Sequence, residues 1–421
     1  MEINNLKRSI LLKAKLAKEA SKKLASVGTD QKNDILFAIV DALERNIKKI
    51  LSCNELDVLT AKETGIPSIL IDRLTLTEER VAGIINGIKN VIHLQDPVGA
   101  VIEGPNPPVG LDIKKIRVPL GVIAMIYEAR PSVTVDATVL CLKAGNAVIL
   151  KGGSEAINSN KILAEIIYNA GIGAGMPEGS LQFIDTMDRG AVYELLQLDN
   201  LIDLLIPRGS EELVRFIKTN SLIPVLSHGK GLCHTYVDKD ADIEMAINIA
   251  INAKCQRPSV CNAMETLLVH REIADKILPK LCKLYYDAKV EIRGCEMTGS
   301  IVSSISTATE KDWQTEYLDL KISIKVVNSL EEAISHINKY GSMHSEAIVT
   351  NNKEVADKFI SKVDAAAVFV NASTRLHDGS VFGLGCEIGI STQKLHARGT
   401  MGIKELTSTK YVVRGKGTIR T

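Results

Sequence analysis

From Gly121 onward the chain alternates short apolar strands with amphipathic helical stretches, and no other feature narrows the fold as much. Strands are predicted at 121–126, 147–150, 181–184, 203–206 and 223–226, with helical stretches between most of them. Strand, helix and strand in succession form right-handed β-α-β units, so a parallel sheet covered on both faces is expected. The pattern resumes after Cys233, with strands at 234–237, 267–269, 324–327, 347–349 and 368–370. With 421 residues the chain exceeds what one core usually holds, so two α/β layers in series are expected.

The segments around these layers read differently. Between 6 and 94 the apolar residues fall at helical spacing; Ile35, Leu36, Ile39, Val40, Leu43 and Ile47 mark one helix face. At 98–118 two alternating stretches flank Gly104-Pro-Asn-Pro-Pro-Val-Gly110, which no helix interior tolerates. A long hairpin is expected there, and its open edges need a partner, which suggests an oligomerisation arm. The tail from Asn371 is rich in Gly, Ser, Thr and His and ends in a strand-like stretch at 410–414.

Composition removes several classes of function. Apolar residues make up 45%, too many for a disordered chain, and 51 basic against 50 acidic side chains leave no cationic excess for a nucleic acid. No apolar run reaches the roughly 20 residues that cross a bilayer. The stretch 1–24 is lysine-rich and helix-periodic, without a signal-peptide core, so a cytoplasmic protein without a membrane partner is expected. Eight scattered cysteines form no Cys-x-x-Cys pair and no His-x-x-x-His accompanies them, so neither a metal site nor a disulfide framework is expected.

Several motifs carry both a chemical and a bland reading. Gly171-Ile-Gly-Ala-Gly-Met176 closes a helix instead of opening one after a strand, so it is read as a helix stop. The strand ending Ile149-Leu-Lys151-Gly-Gly-Ser154 places a cation where open sheets bind ligands, although a turn lysine looks the same. Ile206-Pro-Arg-Gly209-Ser210 ends a strand and caps a helix whose N–H groups could hold an anion, as any capped helix could. Cys255 and Cys261 share a polar, proline-punctuated loop of the kind in which nucleophiles sit, whereas Cys141 and Cys282 lie on helical faces. A third loop, from Asn371-Ala-Ser-Thr-Arg375 to Ser391-Thr-Gln-Lys394-Leu-His-Ala-Arg398, carries cations that could receive an anionic substrate or form a solvated subunit contact.

Taken in order, Pro119-Leu-Gly-Val-Ile123, Lys151, Gly209-Ser210, Cys261, Glu316 and Val370-Asn371 before Phe382-Gly383 resemble the layout of the aldehyde dehydrogenase superfamily over nearly the whole chain. Three longer strings narrow the likeness. Tyr127-Glu-Ala-Arg130-Pro-Ser-Val-Thr-Val-Asp136, Gln256-Arg257-Pro-Ser-Val-Cys261-Asn262-Ala-Met-Glu-Thr-Leu-Leu-Val269 and Ser391-Thr-Gln-Lys394-Leu-His-Ala-Arg398-Gly399 are similar to the γ-glutamyl phosphate reductase family. The resemblance implies an α/β, aldehyde dehydrogenase-like fold: two Rossmann-like open sheets in series plus the oligomerisation hairpin. It implies an NADP-binding domain from 1–97 and 119–232, a catalytic domain from 233–370 around Cys261, and an oligomerisation arm and substrate-facing tail from 98–118 and 371–421.

The implied reaction is the NADPH-dependent reduction of L-glutamyl 5-phosphate to L-glutamate 5-semialdehyde and phosphate, the second step of proline synthesis. The product then closes to 1-pyrroline-5-carboxylate. By position, Cys261 is the nucleophile that would expel phosphate and form a thioacyl enzyme. Lys151 resembles the lysine that meets the adenosine ribose or its 2′-phosphate, Gly209 and Ser210 the pair facing the pyrophosphate, and Glu316 the glutamate holding the nicotinamide ribose. Arg130, Arg257, Lys394 and Arg398 are the cations expected to converge on the substrate's charges. The backbone at Cys261 and Asn262 is expected to contribute to the oxyanion site.

Hydrolytic members of the superfamily carry a glutamate before a glycine pair to activate water. Here that stretch is Leu226-Ser-His-Gly-Lys230, and no carboxylate occurs between Ser221 and Tyr236. Slow water attack on a thioacyl enzyme is therefore expected unless a base arrives from elsewhere in the fold. A homo-oligomer, dimer or larger, is expected, and an encounter with glutamate 5-kinase would fit a labile acyl phosphate. Two other readings stay open: a CoA-acylating or hydrolytic enzyme on the same scaffold, and a non-catalytic binding protein.

Overall fold

The computed structural model describes residues 2–102, 104–105, 111–227 and 229–420. Five helices open the chain: Glu2–Leu24, Thr29–Arg45, Ile47–Glu63, Ser68–Leu74 and Glu78–His93. The periodic face of the second, Ile35, Leu36, Ile39, Val40 and Leu43, is buried as its spacing predicts, but Ile47, expected on the same face, opens the next helix and is half-buried. It packs into one core with the sheet that follows.

That sheet is wholly parallel, in the order Leu181–Phe183, Ala147–Gly152, Val122–Tyr127, Leu204–Arg208. Its central strand, Val-Ile-Ala-Met-Ile-Tyr, is buried at every residue, which is why it reads as a continuous apolar run without alternation. Gly121, just before the strand, has φ +125°, and a Cβ there would strike the Asp203 carboxylate. Asp203 accepts the Val122 N–H at 2.8 Å and is paired with Lys18 at 2.9 Å, which ties the first helix to the sheet. The strand predicted at 223–226 is reduced to a single bridge, Leu205 to Val225, because Pro224 withholds a ladder donor.

A second parallel sheet of seven strands follows, in the order Ser306–Thr307, Glu291–Gly294, Lys321–Val327, Met264–His270, Cys233–Val237, Ser345–Val349, Ala367–Val370. The two outer strands at 291–294 and 306–307 are too short and polar to stand out in the sequence. This layer has its own apolar cores on its two faces.

The hairpin is built from Val101–Ile102 antiparallel to Asp112–Pro119; its tip lies outside the described residues. The terminal strand Thr407–Arg414 adds to the other edge of Asp112–Pro119, from Thr407 opposite Pro119 to Arg414 opposite Asp112. The tail between returns to the first layer, where Ile388, Ala397, Met401, Ile403 and Leu406 join its core. Within the tail Gly389 packs against Arg208 at the C-terminal end of the strand Leu204–Arg208, the side on which open α/β sheets bind ligands. Among the described residues no helix is long and apolar enough to cross a membrane.

Candidate active site

Cys261 lies in the turn between helix Ile243–Cys255 and strand Met264–His270. Both ends of this turn are fixed. Lys254 and Glu265 flank it as a buried ion pair, and Thr374 Oγ1 donates to the Asn262 carbonyl at 2.8 Å. The Asn262 amide donates to the His377 carbonyl at 3.0 Å and accepts from the Arg375 guanidinium, so the tail segment 374–377 is clamped onto the loop. Beneath, the Cys233 thiol donates to the Cys261 carbonyl at 3.1 Å. Gly231 packs so closely that a Cβ there would run into the Cys261 backbone.

The thiol opens into a cleft of about 690 Å³. Arg73, Arg130, Arg208, Arg257 and Arg375 all line it. The arginine ion pairs among the described residues involve Arg80, Arg293, Arg398 and Arg414, and none of the five in the cleft. Nε of Arg73 and of Arg208 is buried without a partner. Burial and the neighbouring guanidinium groups of Arg208 and Arg73 push Arg130 down to about 9. Burial likewise lowers Arg73 and Arg375. Such a cluster of unpaired cations is costly by itself and is relieved by a ligand bearing several negative charges.

Arg130 reaches the cleft through a strained turn. Ala129 has φ +43°, a left-handed conformation a non-glycine residue rarely adopts, and its N–H donates to Glu155. Cys261 itself feels opposed influences: burial pushes the thiol up, Arg208 and Arg130 pull it down, and Glu387 and Glu316 push it up. The Cys261 and Asn262 backbone N–H groups find no acceptor among the described residues, which leaves both able to serve a developing oxyanion.

The aldehyde dehydrogenase family model matches residues 9–317. The γ-glutamyl phosphate reductase of Halothermothrix orenii is 52% identical over 415 residues, covering 99% of each chain. That of Carboxydothermus hydrogenoformans is 54% identical over 411 residues, covering 98% of this chain and 99% of the other. The chain belongs to the γ-glutamyl phosphate reductase family, within the aldehyde dehydrogenases. The crystal structure of the family's Thermotoga maritima member superimposes with a TM-score of 0.94 at 48% identity, covering 98% of this chain and 100% of that one. An acetylating aldehyde dehydrogenase from Geobacillus thermoglucosidasius, 17% identical with a TM-score of 0.74, shares the fold.

Aldehyde dehydrogenases use a nicotinamide dinucleotide, and three places in the chain bear on its binding. Glu316 lines the cleft with Cys261, and its carboxylate accepts the Gly231 N–H at 2.9 Å through one oxygen, leaving the other for a hydroxyl. Lys151 ends its strand as expected but is buried, its ammonium donating to the Gly152 carbonyl at 2.8 Å, outside the lining of the Cys261 cleft. The third place is contested. Ser210 caps helix Glu211–Asn220, and its N–H donates to Glu128 at 2.6 Å, so a diphosphate would have to displace that carboxylate.

Of the residues singled out in the sequence, Cys261, Arg130, Arg257, Asn262, Gly209, Ser210 and Glu316 meet in this family cleft. Lys394 and Arg398 do not, contrary to expectation. Both turn outward to Asp364, which accepts from Arg398 at 2.8 Å and pairs with Lys394; Lys394 lines a separate surface groove. Their place is taken by Arg73, Arg208 and Arg375, with Glu387 beside them. Arg208 ends a strand immediately before Gly209, a position at which a ligand-facing side chain was readable; Arg73, in the short fourth helix, gave no local signal.

Proposed function

We propose that this chain reduces L-glutamyl 5-phosphate to L-glutamate 5-semialdehyde and phosphate through a thioacyl intermediate on Cys261. The observation that carries the reading is one thiol set among five guanidinium groups that no carboxylate pairs with. An acyl phosphate with an α-carboxylate brings the charges that cluster lacks. Cys261 Sγ attacks the acyl carbon and phosphate leaves into the arginine cluster. The Cys261 and Asn262 N–H groups steady the oxyanion at each tetrahedral stage. NADPH supplies the hydride that reduces the thioester, and collapse of the thiohemiacetal frees the aldehyde and Cys261.

The likeness to the γ-glutamyl phosphate reductases of Halothermothrix orenii and Carboxydothermus hydrogenoformans supports this substrate. Absence of a carboxylate between Ser221 and Tyr236 supports phosphate over water as the acyl acceptor. We also propose NADPH as the preferred cofactor, with Lys151 near its 2′-phosphate. The sheet of Val101–Ile102, Asp112–Pro119 and Thr407–Arg414 is proposed as a contact between copies, since Tyr411 and Val413 are exposed on its outer strand.

Running the reaction backwards tests the function. Semialdehyde and NADP should yield NADPH only when phosphate is added, and equal rates without phosphate would favour a hydrolytic enzyme. Stimulation by CoA instead of phosphate would favour an acylating one.

A further inference from the structure

Glu387 is an acid that the fold brings to Cys261 from far away in the chain. It follows Cys386 in the glycine-rich tail and lines the same cleft as Cys261, Arg130 and Arg208. Its Oε2 accepts the Gly379 N–H at 2.8 Å, which fixes the carboxylate and leaves Oε1 free. Of the other acids lining the cleft, Glu128 accepts the Ser210 N–H, Glu155 the Ala129 N–H and Asp378 the Ser380 N–H, Glu211 pairs with Lys230, and Glu316, like Glu387, accepts one backbone N–H through one oxygen. Among these carboxylates Glu387 acts most strongly on the Cys261 thiol, ahead of Glu316.

The chemistry has a proton problem that these neighbours can solve. Burial pushes the Cys261 thiol up, so at neutral pH it must lose a proton to attack. An acyl phosphate dianion must gain one, because otherwise phosphate would depart as the trianion. We propose, resting on the reaction given above, that Glu387 carries that one proton from Cys261 Sγ to the departing phosphate held by Arg130 and Arg208. The S–C bond forms as the C–O bond breaks, the bond's electron pair leaves with the phosphate oxygen, and hydrogen phosphate dianion is released. Glu387 ends as the carboxylate it began as, so atoms and charge balance.

The setting of Glu387 suits a group that both accepts and donates. Burial raises it, Asp378 raises it further, and Arg208, the Gly379 N–H and His344 draw it back. Arg208 is itself held close, since a Cβ on Gly389 would meet its guanidinium. No carboxylate between Ser221 and Tyr236 could do the same work, as none is present there.

Glu387→Gln tests this, because the amide oxygen can still accept the Gly379 N–H. In the reverse direction the acyl enzyme is offered phosphate, which must give up its proton to Glu387 as it attacks, or hydroxylamine, which attacks as a neutral amine and sheds its proton to water after the N–C bond has formed. The variant should lose about 100-fold or more in phosphate-dependent NADPH formation, while hydroxylamine-dependent turnover, which shares only the addition of Cys261 to the aldehyde, should fall much less. Glu387→Asp keeps an acid and should retain phosphate-dependent turnover at a reduced rate with the wild-type pH limb. A Gln variant as fast as wild type with phosphate, or one slowed equally with both acceptors, overturns the proton transfer. So does an Asp variant that behaves no better than Gln. A wild-type enzyme indifferent to phosphate would instead remove the reaction on which the inference rests.

Discussion

Lys254 Nζ and Glu265 Oε2 lie 2.7 Å apart with both side chains wholly buried, one at each end of the loop that carries Cys261. The other Glu265 oxygen accepts the Leu318 N–H at 3.1 Å, so the same pair also anchors the segment bearing Glu316. Removing one partner strands the other charge in the interior. Lys254→Met should cost about 3–5 kcal/mol, measured by urea unfolding, and Lys254→Met with Glu265→Leu should recover much of that. A single variant as stable as wild type would show the pair to be expendable.

Cys261 should alkylate with a pH profile displaced upward, because burial raises its thiol. Arg208 is the strongest influence holding it down. Arg208→Ala should therefore shift the iodoacetamide profile to still higher pH. A shift the other way, or none, would place Arg208 too far from sulfur to matter. Cys141 and Cys282, both fully buried, should remain unmodified in the native protein.

Asp136 sets a dependence of stability on pH. Burial of its carboxyl, beside the Cys386 thiol, pushes it from 3.8 up to about 7. The folded chain then holds a proton that the unfolded chain releases, so stability should fall as pH rises through that interval and level off above it. Asp136→Asn should flatten this part of the curve. Thermal melts of the two proteins from pH 4 to pH 8 check it, and parallel curves would remove Asp136 as the cause.

Lys151 tests the proposed preference for NADPH. Its ammonium ends the strand Ala147–Gly152, and burial lowers it, with Glu155 and Asp188 holding it up. Lys151→Ala should weaken NADP more than NAD in a fluorescence titration. Equal losses would remove the 2′-phosphate role.

Much of the fold was legible because the strands of both sheets are buried apolar runs punctuated by helices. Val122–Tyr127 is the clearest case, with no exposed residue to obscure it. The failures share a cause. The 223–226 stretch is apolar enough for a strand but is interrupted by Pro224, and strands such as Gly389–Ser391 are too short to show a period. The loop that carries the proposed nucleophile was legible through a long family string. Its surroundings were only half legible, because Arg73, Arg208, Arg375 and Glu387 are brought together from distant parts of the chain. Lys394 and Arg398 lie in a family string too, yet Asp364 pairs with both and the structure places them outside the Cys261 cleft.

The most direct measurement of the central claim is to trap the acyl enzyme. Semialdehyde and NADP are mixed with the protein without phosphate, the reaction is quenched in acid, and the cysteine-containing peptides are read by mass spectrometry. A glutamyl thioester should appear on Cys261, in proportion to the NADPH formed, and phosphate should discharge it before the quench. NADPH formation without an adduct on Cys261, or undiminished in Cys261→Ala, would contradict the account.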